Sequence, residues 1–313
     1  MIARAPGKLV LSGAYSVLEG ATAIVAAVDR YVIADTSRPA ERQTDEVLAA
    51  IRAGAMKRAV WFDASALRFT LPDGGDVKLG IGSSAAIVAA SMAAAWADED
   101  RTLDNRVLFS ATLSAHRTAQ KGGSGIDVAA SVFGGVLACT LGGEAGLVVK
   151  PHELPSGVHI HVFATHVAAS TPELLRLVRG FSATSPDRYR SLMDRAKAGA
   201  HAALAAEDVP SLLCALTEQS AALRTLGQEC SAPIFTPDVD ALVEVATAEQ
   251  AVFYPSGAGG GDAALFVGGA PPSPEFLAQA QSRGRFHIPM IVGAPGVHLV
   301  STTSPSAAPL LGV

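Results

Sequence analysis

Lys78-Leu79-Gly80-Ile81-Gly82-Ser83-Ser84-Ala85-Ala86 runs straight into Ile87-Val88-Ala89-Ala90-Ser91-Met92-Ala93-Ala94-Ala95-Trp96. Glycines and serines come first and strong helix formers follow, so the segment predicts a loop that opens a helix. The first N–H groups of a helix lack intrahelical partners, and the dipole leaves that end partly positive. Glycines let the backbone approach a large ligand. Two readings follow: an anion site, most often for phosphate, or an ordinary N-capped core helix.

The chain around this stretch has 313 residues, a length that suits about two domains. It is 49% hydrophobic and 17% charged, with 30 Gly and 18 Pro, which describes a compact, loop-rich soluble protein with a sizeable core. A net charge of -5 and the absence of a long Lys/Arg cluster argue against a nucleic-acid partner. Cys139, Cys214 and Cys230 lack metal-ligand spacing and suit reduced thiols in a cytoplasmic chain. Arg4 and Lys8 precede no apolar signal core, and the Ala-rich run from Ala85 to Ala97 is too short to span a bilayer, so no membrane association is expected.

Upstream, Ile2 to Gly20 reads as a strand, a turn at Pro6-Gly7, a second strand carrying Lys8, and a turn at Glu19-Gly20. Lys8 is either a snorkelling surface residue or a fixed charge facing an anion. Ala23 to Val28 reads as a buried strand, Asp45 to Arg52 as a helix, Leu67 to Leu71 as a strand and Pro72 to Asp76 as a turn. Downstream of the opening helix, a second helix over about 104–120 leads to Lys121-Gly122-Gly123-Ser124-Gly125-Ile126-Asp127. Asp127 is either a first-turn acid favoured by the helix dipole or a buried base or metal partner held near a substrate hydroxyl. Residues 134–140 read as turn and strand.

Composition changes around 148–156, which marks a domain boundary: 1–155 and 156–313. Val158 to Thr165 alternates as a strand, with His159 and His161 on one face as a solvated pair or metal ligands. Ala168-Ala169-Ser170-Thr171-Pro172-Glu173 reads as a helix start. Helices are expected over about 172–181, 186–206, 209–226 and 237–249. A second glycine-rich loop, Pro255-Ser256-Gly257-Ala258-Gly259-Gly260-Gly261-Asp262, precedes a strand, Ala263 to Val267, and reads as a ligand loop or a hairpin turn. A helix near 273–283, a strand near 287–292 and a loosely ordered tail beyond about 302 complete the chain.

No Walker-type phosphate loop is present. Instead Ala5-Pro6-Gly7-Lys8, Gly80-Ile81-Gly82-Ser83-Ser84-Ala85-Ala86 and Ser256-Gly257-Ala258-Gly259-Gly260-Gly261-Asp262 resemble, in this order and spacing, the three signature motifs of the GHMP small-molecule kinases. Tyr15 to Glu19, Lys78, His116 with Ala119-Gln120, Gly123 to Ala129, and Ala169-Ser170-Thr171 resemble the phosphomevalonate kinase branch. Ala14, Tyr254 and Ala263 depart from that branch's usual Glu or Lys, Lys and Cys.

The resemblance implies a two-domain α+β fold, with an N-terminal ribosomal-protein-S5-like βαβ domain and a C-terminal ferredoxin-like α+β domain. It implies ATP and Mg²⁺ as cofactors, and transfer of a phosphoryl group to a small phosphorylated substrate, (R)-5-phosphomevalonate, giving 5-diphosphomevalonate in the mevalonate route to isoprenoids. Gly80, Ile81, Gly82, Ser83, Ser84 and Ala85 would bind ATP, with Ser83 or Ser84 reaching Mg²⁺. Lys8 and Asp127 would be catalytic. Ser124, Ser170, Thr171, Ser256, Gly257, Ala258, Gly259 and Lys78 would face the acceptor, with His166 near it. The protein would be a monomer or homodimer in the cytoplasm. The alternatives are mevalonate kinase or another GHMP kinase, a dinucleotide-dependent oxidoreductase using Gly80-x-Gly82-x-x-Ala85, and a binding protein on the same fold without catalysis.

Overall fold

The structure, a computed structural model, describes residues 1–70, 74–143, 146–166 and 170–300. Part of the expected turn at 72–76, the Ala168-Ala169 approach to a helix, and the tail beyond about 302 lie outside the described residues.

The chain runs through β1 (Ile2–Ser12), β2 (Ala23–Asp35), α1 (Asp45–Arg52), β3 (Trp61–Asp63), β4 (Arg68–Thr70), β5 (Asp76–Lys78), α2 (Ser83–Asp98), α3 (Asn105–Gln120), α4 (Ile126–Phe133), β6 (Val136–Leu141) and β7 (Leu147–Pro151). It continues with β8 (His159–Ala164), α5 (Thr171–Thr184), α6 (Pro186–Leu204), α7 (Val209–Glu229), α8 (Pro237–Ala248), β9 (Val252–Pro255), β10 (Ala264–Gly268), α9 (Pro274–Ser282), β11 (Phe286–Ile288) and β12 (His298–Leu299). One sheet has the order β12-β1-β2-β6-β7, with β3 also on β2; a second has the order β11-β8-β10-β9; β4 and β5 form a separate pair. Every named strand pair is antiparallel. The dinucleotide fingerprint needs a parallel βαβ crossover, so this topology removes the oxidoreductase alternative.

α2 and α4 pack on β1 and β2, and this contact forms the core of the first half. α2 is apolar all round, and Ala85 to Trp96 are all buried, as such a helix requires. On the second sheet, Phe163, Phe253 and Phe266 pack against Phe276 of α9. β12 returns the chain to the first sheet, with His298 opposite Arg4.

Two sequence expectations change. Pro6-Gly7 is no turn: β1 runs through it, and the register against β2 shifts there. A proline in a strand is tolerated at such an irregularity because its missing N–H is not needed. The strand near 287–292 stops at Ile288, because Pro289 and Pro295 punctuate the return to the first sheet.

Candidate active site

The two helices that open toward the site start without side-chain caps. Gly82 precedes α2 at φ 79 and Gly125 precedes α4 at φ 80, and neither offers a capping side chain. The first-turn N–H groups of α2 are therefore left for another acceptor, while in α4 the Val128 N–H is taken by Asp127. β1 runs beside this loop, and Lys8 N donates to Ile81 O at 2.8 Å. Gly82 is required twice over. Its φ is left-handed, and a Cβ there would stand 2.9 Å from Lys8 Cγ. At Gly80 a Cβ would meet the Asp262 carboxylate carbon at 2.5 Å.

These segments wall a cavity of about 560 Å³. It brings together Lys8, Asp127, Gly80, Gly82, Ser83, Ser84, Ser124, Thr171, Gly257 and Ala258 from the expected set. Ile81 and Ala85 are buried behind the loop. Lys78 lies on β5 opposite Arg68, with an exposed side chain, and does not line the cavity. Ser170 is exposed outside the lining, and Gly259 packs against the Ile234 backbone. His166 lies near Gly284 instead. Ser256, expected at the acceptor, turns inward: its Oγ accepts from Val10 N at 2.9 Å and so ties the glycine loop to β1.

The charges converge on Lys8. Burial pushes its ammonium pKa down, and this outweighs the opposing pull of Asp127 and Asp262. Asp127 Oδ1 accepts from Val128 N at 2.9 Å, while Oδ2 lies 3.4 Å from His116 Nε2. That same Nε2 is 3.2 Å from Ser84 Oγ, and His116 Nδ1 is buried with no partner among the described residues. His116 Nε2 thus faces both Ser84 and Asp127.

The glycine loop at 255–262 joins the antiparallel β9 and β10, so it is a hairpin connection that also reaches the cavity. Arg285, only 1% exposed, holds it from behind: Nε bonds Asp238 Oδ2 at 2.5 Å and Nη1 bonds Asp262 O at 2.7 Å. Tyr15 OH donates to Ala258 O at 2.6 Å. Tyr254 OH donates to Leu11 O at 2.7 Å, so the departure at 254 builds a buried strut between β9 and β1.

Asp262, Arg285 and Arg179 belong to the site region but were not among the expected site residues. Asp262 stood at the edge of the third motif, and that was its one sequence signal. Arg285 and Arg179 carry none, because their places depend on non-local packing. His161 and His287 meet across β8 and β11, with Nδ1 and Nε2 3.1 Å apart. Among the described residues no three His, Cys, Asp or Glu side chains could hold a metal ion together, and no helix is long and apolar enough to cross a membrane. Cys139, Cys214 and Cys230 are free thiols.

Residues 47–135 match the family described as GHMP kinases N terminal domain. A phosphomevalonate kinase from Streptomyces sp. (strain CL190) is 27% identical, over 85% of this chain and 89% of its own. A mevalonate kinase from Archaeoglobus fulgidus is 31% identical over 43% of this chain and 51% of its own. The structure of Streptococcus pneumoniae phosphomevalonate kinase in complex with phosphomevalonate and AMPPNP superposes with a TM-score of 0.74 at 17% identity, over 93% of this chain and 99% of that one. Residues 47–135 thus match the GHMP kinases N terminal domain, and the chain as a whole shares the fold of these kinases and is similar to a phosphomevalonate kinase.

Proposed function

We propose that this chain transfers the γ-phosphoryl group of ATP to (R)-5-phosphomevalonate. The observation that carries the reading is the convergence of Lys8, Asp127 and two uncapped helix starts on one cavity. Phosphoryl transfer depends on positioning and charge neutralisation more than on covalent chemistry. The N–H groups opening α2 would hold the ATP phosphates, and Lys8 would neutralise charge where donor and acceptor meet. The attacking oxygen of a phosphate is already anionic, so Asp127 would mainly orient the acceptor and pair with Lys8.

The donor set fits Mg²⁺. Ser83, Ser84 and Asp127 offer hard oxygens, and this ion is commonly shared between one or two protein oxygens and substrate phosphates. When bound, it would supply charge neutralisation on the phosphates. The similarity to the Streptomyces phosphomevalonate kinase over 85% of the chain supports the acceptor assignment. We assign residues 1–155 as the ATP-binding half and 156–313 as the C-terminal half, with β12 alone returning to the first sheet, and place the enzyme in the cytoplasm.

The second reading, mevalonate kinase, draws on the 31% identity to the Archaeoglobus enzyme. An ADP-release assay with ATP, Mg²⁺ and a panel of 5-phosphomevalonate, mevalonate, homoserine and sugars separates the two. Release with 5-phosphomevalonate alone is expected. Release with mevalonate alone would move the assignment to the second reading.

A further inference from the structure

The cavity is lined by three cationic side chains, Lys8, Lys121 and Arg179, against one carboxylate, Asp127. Lys8 is engaged with Asp127 and Asp262. Lys121 caps α3 in a left-handed conformation beside the uncapped start of α4, on the wall that would face the nucleotide. Arg179 comes from a different element, α5. Thr171, Leu175 and Arg179 follow one another at helical spacing along α5 and all line the cavity. Gly257 and Ala258 also line the cavity, with Gly257 beside Lys8: a Cβ there would stand 3.9 Å from Lys8 Nζ. The Arg179 guanidinium has no hydrogen bond or ion pair with any described residue. Arg179 is exposed, so α5 presents a planar, permanently charged fork at the cavity with no partner among the described residues.

We propose that Arg179 is a specificity-determining residue that holds the acceptor's carboxylate. The inference rests on the acceptor reading above, under which the acceptor is an acid phosphorylated at the end remote from its carboxylate. The reacting end must lie by Lys8 and Asp127, so the carboxylate must reach another part of the cavity. A guanidinium pairs with a carboxylate through two parallel N–H···O bonds, a geometry that a lysine cannot reproduce.

The test is a chemical double-mutant cycle. Wild type, Arg179→Met and Arg179→Lys are assayed with 5-phosphomevalonate, mevalonate and the primary amide of each, which replaces the carboxylate with a neutral group. With whichever acid is turned over, Arg179→Met should raise the acceptor KM about 10- to 100-fold and leave the ATP KM unchanged. Arg179→Lys should recover part of the loss. The amide should cost wild type a similar factor and cost Arg179→Met nothing further. An unchanged acceptor KM, a raised ATP KM, or penalties that multiply would overturn the role of Arg179 and leave the acceptor reading standing. Turnover of neither acid by wild type would overturn both.

Discussion

His116 Nε2 lies 3.4 Å from Asp127 Oδ2 and 3.2 Å from Ser84 Oγ, so one imidazole on α3 touches both the acid of α4 and the hydroxyl of α2. The ring therefore bridges two helix starts through a single nitrogen. His116→Phe fills the space without that nitrogen. We expect kcat to fall by about 10- to 100-fold with substrate KM values little changed, because a small misplacement of a reacting group costs rate more than binding. Steady-state kinetics with a melting curve decide it. An unchanged kcat in a folded variant would remove the positioning role.

Under the proposed reaction, Lys8→Met and Asp127→Asn should each lower kcat by about 100-fold or more, since each would remove a group aimed at charge that develops during transfer. Circular dichroism should remain native. Near-normal turnover in either variant would strike that residue from the machinery.

What was legible in the sequence divides along physical lines. The loops at 80–86 and 121–127 and the helices they open were readable, because glycine conformation and helix initiation are local. Lys8 and Asp127 were readable as candidates because each adjoins such a loop. Pro6-Gly7 misled because the local turn signal lost to pairing with β2, a contact more than twenty residues away. Lys78 misled in the same way: it is near Gly80 in sequence, but β5 directs it outward with Arg68. Ser256 was placed by its motif, yet its hydroxyl is used by the β1 backbone. Arg285 reaches Asp262 and Asp238 from 23 and 47 residues away, and nothing in its neighbours announces it.

Gly82→Ala tests the packing of β1 against the loop at 80–86. The added Cβ would stand 2.9 Å from Lys8 Cγ at a residue whose φ is 79. A side chain in that conformation costs about 1–3 kcal/mol, and the clash displaces the lysine as well. Both a lowered melting temperature and a lowered kcat are expected. Wild-type values for both would mean that the loop relaxes without consequence for Lys8.

Tyr254→Phe isolates the strut from β9 to β1. The change strands the Leu11 carbonyl in a buried setting, where Tyr254 is only 5% exposed. The loss should be about 1–2 kcal/mol, read as a shift in denaturation midpoint with no change in slope. Because the strut lies behind the glycine loop, the acceptor KM should rise more than the ATP KM. An equal effect on both would assign Tyr254 to stability alone.

The Arg285–Asp238 pair gives the fold an acid limit. Burial pushes Asp238 up, but the Thr236 hydrogen bond and the Arg285 charge together hold its carboxyl below the usual 3.8. A carboxylate with a depressed folded pKa contributes stability that is complete above its unfolded value and is lost as pH falls through the folded one. Asp238→Asn should therefore destabilise the protein at neutral pH, by about 3 kcal/mol because it leaves a buried guanidinium without its counter-charge. The gap between wild type and variant should hold constant down to about pH 4 and narrow below it. Urea melts at stepped pH measure this directly, and a gap that widens as pH falls would contradict the pairing. Because Arg285 also holds the Asp262 carbonyl, the variant should lose activity at pH values where it is still folded, which links the acid limit of the fold to the placement of the glycine loop over the cavity.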